Sequence, residues 1–153
     1  MPNTYTQMYV QIVFAVKGKN ITVHENHRDE LEKYICGIIS NKKSKPLAIY
    51  CNPNHIHILL GLHPTNAVSD LVKDIKVSST KLINEKKWIV GKFYWQDGFA
   101  SFTYSKSQID RVSKYILNQP HHHKKQTFKE EYLLILKKLD IEYDEKYLFE
   151  WYD

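Results

Sequence analysis

Asn54-His55-Ile56-His57-Ile58-Leu59-Leu60 is the stretch on which the reading of this chain turns. Successive side chains of a strand alternate between faces, so His55 and His57 project together while Ile56 and Ile58 point the other way. The pattern admits two readings. The pair is either two ordinary half-buried histidines or two ligands sharing a divalent metal, and a third ligand is needed to decide between them.

Outward from this stretch, Leu47 to Cys51 reads as a strand and Asn52-Pro53-Asn54 as a tight turn, so a hairpin returns through His55 to Leu62 with the histidines near its turn. Upstream, Tyr5 to Lys17 alternates: Met8, Val10, Ile12, Phe14 and Val16 on one face, Tyr9, Gln11 and Val13 on the other. Between these strands, Asn26 to Lys42 carries Leu31, Tyr34, Ile35, Ile38 and Ile39 at helical spacing, and the run Lys42-Lys43-Ser44-Lys45-Pro46 ends the helix in a basic loop. Downstream, Pro64 and Asn66 open a long helix to about Lys87, with Val68, Leu71, Val72, Ile75, Leu82 and Ile83 on one stripe and Lys73, Lys76, Lys81, Lys86 and Lys87 on the polar side. Phe93 to Tyr104 reads as a fourth strand, irregular at Asp97-Gly98. Ser105 or Ser107 caps a short helix through Asn118, which Pro120 stops; a last helix runs from about Phe128 to Leu139, before an acidic, aromatic tail from Ile141 to Asp153.

Strand, helix, strand, strand, helix, strand is the order of an α+β, ferredoxin-like split βαβ unit: an antiparallel sheet with helices on one face and an added C-terminal helix carrying Tyr115. Residues 1–153 are expected to form one domain, and neither a repeat nor a linker interrupts them. That fold hosts many functions and decides no chemistry.

Composition narrows the classes. No apolar run nears the roughly 20 residues of a membrane span, and no signal-peptide pattern opens the chain. Cys36 and Cys51 make neither a disulfide framework nor a zinc knuckle, so a cytoplasmic protein with no membrane partner is expected. A net charge of +5 accompanied by 11 tyrosines, 6 phenylalanines and 3 tryptophans suits single-stranded nucleic acid, where lysines meet phosphates and rings stack on bases. Mild basicity without a specific partner is the plainer alternative.

Tyr115 and Gln119 stand four apart in Tyr115-Ile116-Leu117-Asn118-Gln119, on one helical face, beside a stripe of Ile109, Val112 and Ile116. Alone they read as packing and a solvated amide. Beside the histidines they suggest phosphodiester transfer, in which a tyrosine hydroxyl attacks phosphorus and a divalent ion with open positions takes phosphate oxygens.

The His55-Ile56-His57 strand, the segment Trp95-Gln96-Asp97-Gly98-Phe99-Ala100-Ser101-Phe102-Thr103-Tyr104-Ser105 and the segment Tyr115-Ile116-Leu117-Asn118-Gln119-Pro120-His121-His122 together resemble the short single-tyrosine HUH transposases of the insertion-sequence 200/605 family. The likeness runs from the first strand to His122; the histidine pair alone is shared with replication-initiator and relaxase nucleases. The resemblance implies Tyr115 as nucleophile, His55, His57 and Gln119 as ligands of Mg²⁺ or Mn²⁺, a homodimer, and single-stranded DNA hairpins as partner. It also implies cleavage and rejoining through a 5′-phosphotyrosine. The tail beyond about Phe128 matches least and receives no role. His121, His122 and His123 point in different directions as consecutive residues and are expected to be phosphate or hydrogen-bonding groups, or surface. His24, His27 and His63 receive none.

Two rivals remain from the residues. One is a domesticated relative that cleaves its host's repeat hairpins; the other is a non-catalytic single-stranded nucleic-acid-binding module with structural histidines. Only the enzymes leave DNA attached to protein after denaturation.

Overall fold

The computed structural model describes residues 3–152; Met1, Pro2 and the tail's last residue, Asp153, lie outside the described residues. Four strands form one antiparallel sheet: β1 (Tyr9–Ala15), β2 (Lys45–Cys51), β3 (His55–Gly61) and β4 (Ala100–Tyr104), in the order β2-β3-β1-β4. Helices α1 (Arg28–Asn41) and α2 (Val68–Glu85) connect them, and α3 (Ile109–Leu117), α4 (Gln119–His122) and α5 (Phe128–Lys138) follow the last strand. This is the expected α+β architecture.

The register explains how the two faces differ. β1 pairs with β3 so that Val13 lies opposite His57 and Ala15 opposite His55. Paired residues share a face, so Val10, Ile12 and Phe14 line the other side with Ile56, Ile58 and Leu60. There α1 buries Leu31, Ile35 and Ile39, and α2 buries Leu71, Val72, Ile75 and Ile83, all on the apolar stripes that the sequence pattern marks. The histidine face instead carries α3, whose Ile116 packs with Ala48 and Leu59, and α5. The central strands are therefore covered on both sides, and His55 and His57 are interior residues, 1% and 0% exposed.

Two expectations need correction. The fourth strand does not begin at Phe93; regular pairing starts at Ala100, with only an isolated bridge between Val16 and Trp95 before it. Phe93 and Trp95 turn inward as edge-on aromatic partners, Trp95 also meeting Phe14 edge-on, and Gly98 takes a φ of +85° that breaks the extended run. Nor does Pro120 stop a helix. Asn118 leaves helical geometry at φ −100°, ψ 21°, and Pro120 sits in the first turn of α4, where its missing N–H costs nothing.

The lysine side of α2 is also less free than its pattern suggests. Lys76 lies over the Phe14 ring and donates to the backbone oxygens of Gln96 (2.8 Å) and Gly98 (2.6 Å), tying the loop before β4 to the helix.

The C-terminal segment folds back onto the histidine face. Phe128, Tyr132, Phe149 and Trp151 form an aromatic cluster with ring centroids 5.1–6.4 Å apart. Gln96 clamps it: its amide nitrogen donates to Val16 and Glu150 oxygens at 3.0 Å, and its oxygen accepts from the Glu150 N–H at 2.6 Å.

Candidate metal centre

Strand β3 delivers His55 and His57 to one spot because they are two residues apart, and the small Ala15 opposite His55 leaves room for the rings. His55 Nδ1 lies 2.7 Å from Asn54 Oδ1, an oxygen that only accepts, so the ring proton sits on Nδ1 and the Nε2 lone pair faces inward. Asn52 Nδ2 donates to that Nε2 at 3.2 Å and to Gln119 Oε1 at 2.9 Å. The His55 ring stacks on Phe128 at 3.8 Å, which fixes its plane. Behind His57, Gln11 Nε2 meets Nδ1 at 3.0 Å, and the Tyr104 hydroxyl donates to Gln11 Oε1 at 2.6 Å.

The centre of the cluster is a residue that received no role from the sequence. Glu131, 1% exposed, reaches in from α5. Its Oε1 lies 3.0 Å from His57 Nε2 and 3.3 Å from His55 Nε2. Its Oε2 accepts from Gln119 Nε2 at 2.9 Å and from the Tyr115 hydroxyl. His55, His57 and Glu131 form a buried group able to hold a metal ion. One signal in the sequence marks Glu131: it interrupts the stripe of Phe128, Tyr132 and Leu136 at helical spacing, and a carboxylate there must find partners inside.

Tyr115 and Gln119 meet as expected, though on two helices. Tyr115 closes α3 and Gln119 opens α4, yet both reach the same carboxylate oxygen. The three consecutive histidines do separate. His121 is exposed, His122 stacks on the Tyr115 ring at 4.4 Å, and His123 joins the cluster.

Electrostatics set the protonation states. Burial lowers the His55 pKa to about 4, outweighing the attraction of the neighbouring Glu131, so the ring is neutral at neutral pH. Burial alone would raise the Glu131 pKa, but its contacts with the His123, His55 and His57 rings more than reverse this and hold it ionised. Burial and the Glu131 charge push the Tyr115 phenol well above its ordinary range. His55 Nε2 thus takes a hydrogen from Asn52 Nδ2 while standing 3.3 Å from the carboxylate oxygen. Two imidazoles, a carboxylate and an amide oxygen are a donor set that a divalent cation resolves.

A groove of about 610 Å³ opens beside His55, between the turn before β3 and the α4–α5 connection, lined by Asn20, Thr22, Asn54, Lys124 and Lys125 among others.

The chain thus combines an antiparallel ferredoxin-like sheet with a His-x-His pair on a central strand and a tyrosine beside it. The model of the family "Transposase IS200 like" matches residues 4–119, and the chain belongs to that family. It is 24% identical over 120 residues to the ISDra2 transposase TnpA of Deinococcus radiodurans, covering 74% of this chain and 84% of that one. Among solved structures, a transposase from Deinococcus radiodurans R1 superposes with a TM-score of 0.59 at 21% identity, covering 76% of this chain and 94% of that one. A REP-associated tyrosine transposase bound to a REP hairpin gives 0.61 at 15% identity, covering 79% and 72%. Among the described residues no helix is long and apolar enough to cross a membrane.

Proposed function

We propose that this transposase cleaves and rejoins single-stranded DNA through a covalent 5′-phosphotyrosine on Tyr115, with a divalent metal held by His55, His57 and Glu131 and approached by Gln119. The observation that carries the reading is the single carboxylate that joins the two halves of the chemistry. Glu131 Oε1 faces the histidines while Oε2 takes the Tyr115 hydroxyl.

The step forms a bond from Tyr115 Oη to phosphorus and breaks the bond from phosphorus to O3′, freeing a 3′-hydroxyl strand. The phenol proton points at Glu131 Oε2, the acceptor in place to receive it. Burial and carboxylate charge keep the phenol protonated in the resting site, which protects the nucleophile until substrate arrives. A bound divalent ion would supply positive charge to offset both Glu131 and the charge that builds on the phosphoryl oxygens. His122, stacked on the tyrosine ring, and the Gln119 amide hold the nucleophile's direction. The groove beside His55, with Lys124 and Lys125 on its wall, is where a single strand enters.

The partner is single-stranded DNA folded into hairpins, as in the REP-hairpin complex of the similar structure. A homodimer and Mg²⁺ or Mn²⁺ as cofactor belong to the same reading. A hairpin-cleaving domesticated enzyme uses the same step and differs only in whether it moves its own DNA.

The test is incubation with labelled hairpin-bearing single strands and Mn²⁺ or Mg²⁺, followed by a denaturing gel. A shifted protein–DNA adduct is expected from the native chain and none from Tyr115→Phe. Hairpin binding without any adduct would leave the non-catalytic binding module as the function. An adduct in Tyr115→Phe would move the nucleophile elsewhere.

A further inference from the structure

We propose that the pocket between α3 and α5 beside Tyr115 takes one unstacked nucleobase, that of the nucleotide whose 5′-phosphate becomes joined to the tyrosine. The inference rests on the covalent reading above and deepens it, by giving the strand a seat on the far side of the metal centre from the entry groove.

The pocket is built by one turn from each of two helices. Val112 and Tyr115 are three apart on α3, and Ile135 and Leu139 are four apart at the end of α5, so each pair shares a face. Tyr104, at the end of β4, and the buried Gln11 complete it around a cavity of about 210 Å³. That is less than the roughly 300–1,000 Å³ of a site for a drug-sized ligand, and a single flat ring system is the occupant it suits. The Tyr104 hydroxyl already donates its hydrogen to Gln11 Oε1 at 2.6 Å. Its oxygen is left to accept, and every DNA base carries an N–H to offer.

Position and charge decide which base this is. Ala15, Val13 and Gln11 pair with His55, His57 and Leu59, so one face of the sheet runs from the turn before β3, through the histidines, to the pocket. The groove beside His55 lies at one end of this line and the pocket at the other, with the centre that would hold the scissile phosphate between them. In the proposed step the strand that leaves carries the 3′-hydroxyl, and the strand that stays hangs from Tyr115 Oη. A nucleotide tethered to that oxygen has its base within reach of a cavity walled by the same tyrosine. Arg111 and Lys138 stand on the rim, exposed and in no ion pair among the described residues, where the next phosphates pass. Apolar walls, two phenol rings for stacking and a cationic rim are what a single strand requires of a binding site. The α5 wall lies beyond residues 4–119, outside the stretch that the family model matches.

The test uses the full-length chain and a hairpin-bearing single strand that gives the adduct, its cut located from the freed 3′-hydroxyl fragment. Replacing the nucleotide just 3′ of the cut by an abasic residue should slow adduct formation by roughly 10- to 100-fold, the loss of one stacked base. Leu139→Trp, at an exposed position, fills the cavity and should slow the intact strand by a similar factor while slowing the abasic strand no further. Lys137→Gln, exposed on the same helix but outside the pocket, should change neither. Thermal unfolding checks that the tryptophan variant is folded, and the abasic strand needs no variant at all. An abasic strand that reacts as fast as the intact one overturns the proposal. Equal slowing of both strands by Leu139→Trp, or slowing of neither, also overturns it and leaves the Tyr115 reading standing. No adduct from any strand removes the covalent reading, and this seat for the base with it.

Discussion

Acidifying the metal-free protein from pH 7 to pH 4 should cost about 3 kcal/mol of folding stability through His55 alone. In the unfolded chain the ring takes its proton near 6.5; in the folded protein burial holds it neutral down to about 4. Between those values the unfolded state carries a proton that the native state lacks, so stability falls as pH falls. The slope is at most about 1.4 kcal/mol per pH unit. Glu131 acts in the same direction at lower pH. Its pKa is depressed in the folded state, so the stability it contributes is lost as pH falls below the ordinary carboxylate value. The assay is urea denaturation of chelated protein at half-unit steps of pH, with His55→Asn as comparison, since it keeps a polar side chain but has no proton to gain. The native curve should fall more steeply than the variant's between pH 6.5 and pH 4. Parallel curves would refute the assignment of a neutral, buried His55.

Phe128→Ala should destabilise the fold by about 3–5 kcal/mol, because the ring is 3% exposed and central to the aromatic cluster; thermal or urea unfolding checks it. A loss below 1 kcal/mol would mean that the C-terminal segment does not dock as described. Gln96→Ala removes three hydrogen bonds, two to Glu150 of the tail and one to Val16, and should cost about 2–3 kcal/mol. Limited proteolysis should then cut near Glu150 faster than in the native chain. Replacing Lys124 and Lys125 by Gln should weaken binding of a single-stranded hairpin and flatten its log–log salt dependence by about 0.7 per lost phosphate contact. Unchanged slopes would take the strand out of this groove.

The sequence by itself determined what backbone periodicity controls. A period of two places His55 and His57 on one face whatever else the chain does, and a period of 3.6 marks the buried stripes of α1 and α2. The turn Asn52-Pro53-Asn54 makes the hairpin, and the tyrosine segment with its Gln119 is legible as a motif. Periodicity failed at residues 93–99 because Phe93 and Trp95 gain more from edge-on packing in the core than from strand pairing. Only the tertiary structure decided which groups complete the site. Glu131 lies 74 residues from His57, and no local pattern links them. Their meeting depends on α5 docking through Phe128, Tyr132, Phe149 and Trp151 and on the Gln96 clamp. A carboxylate inside an apolar stripe shows that it must be paired, but not with what. The partner is fixed by where the aromatic cluster lands the helix, a balance of burial over many contacts that sequence spacing does not encode.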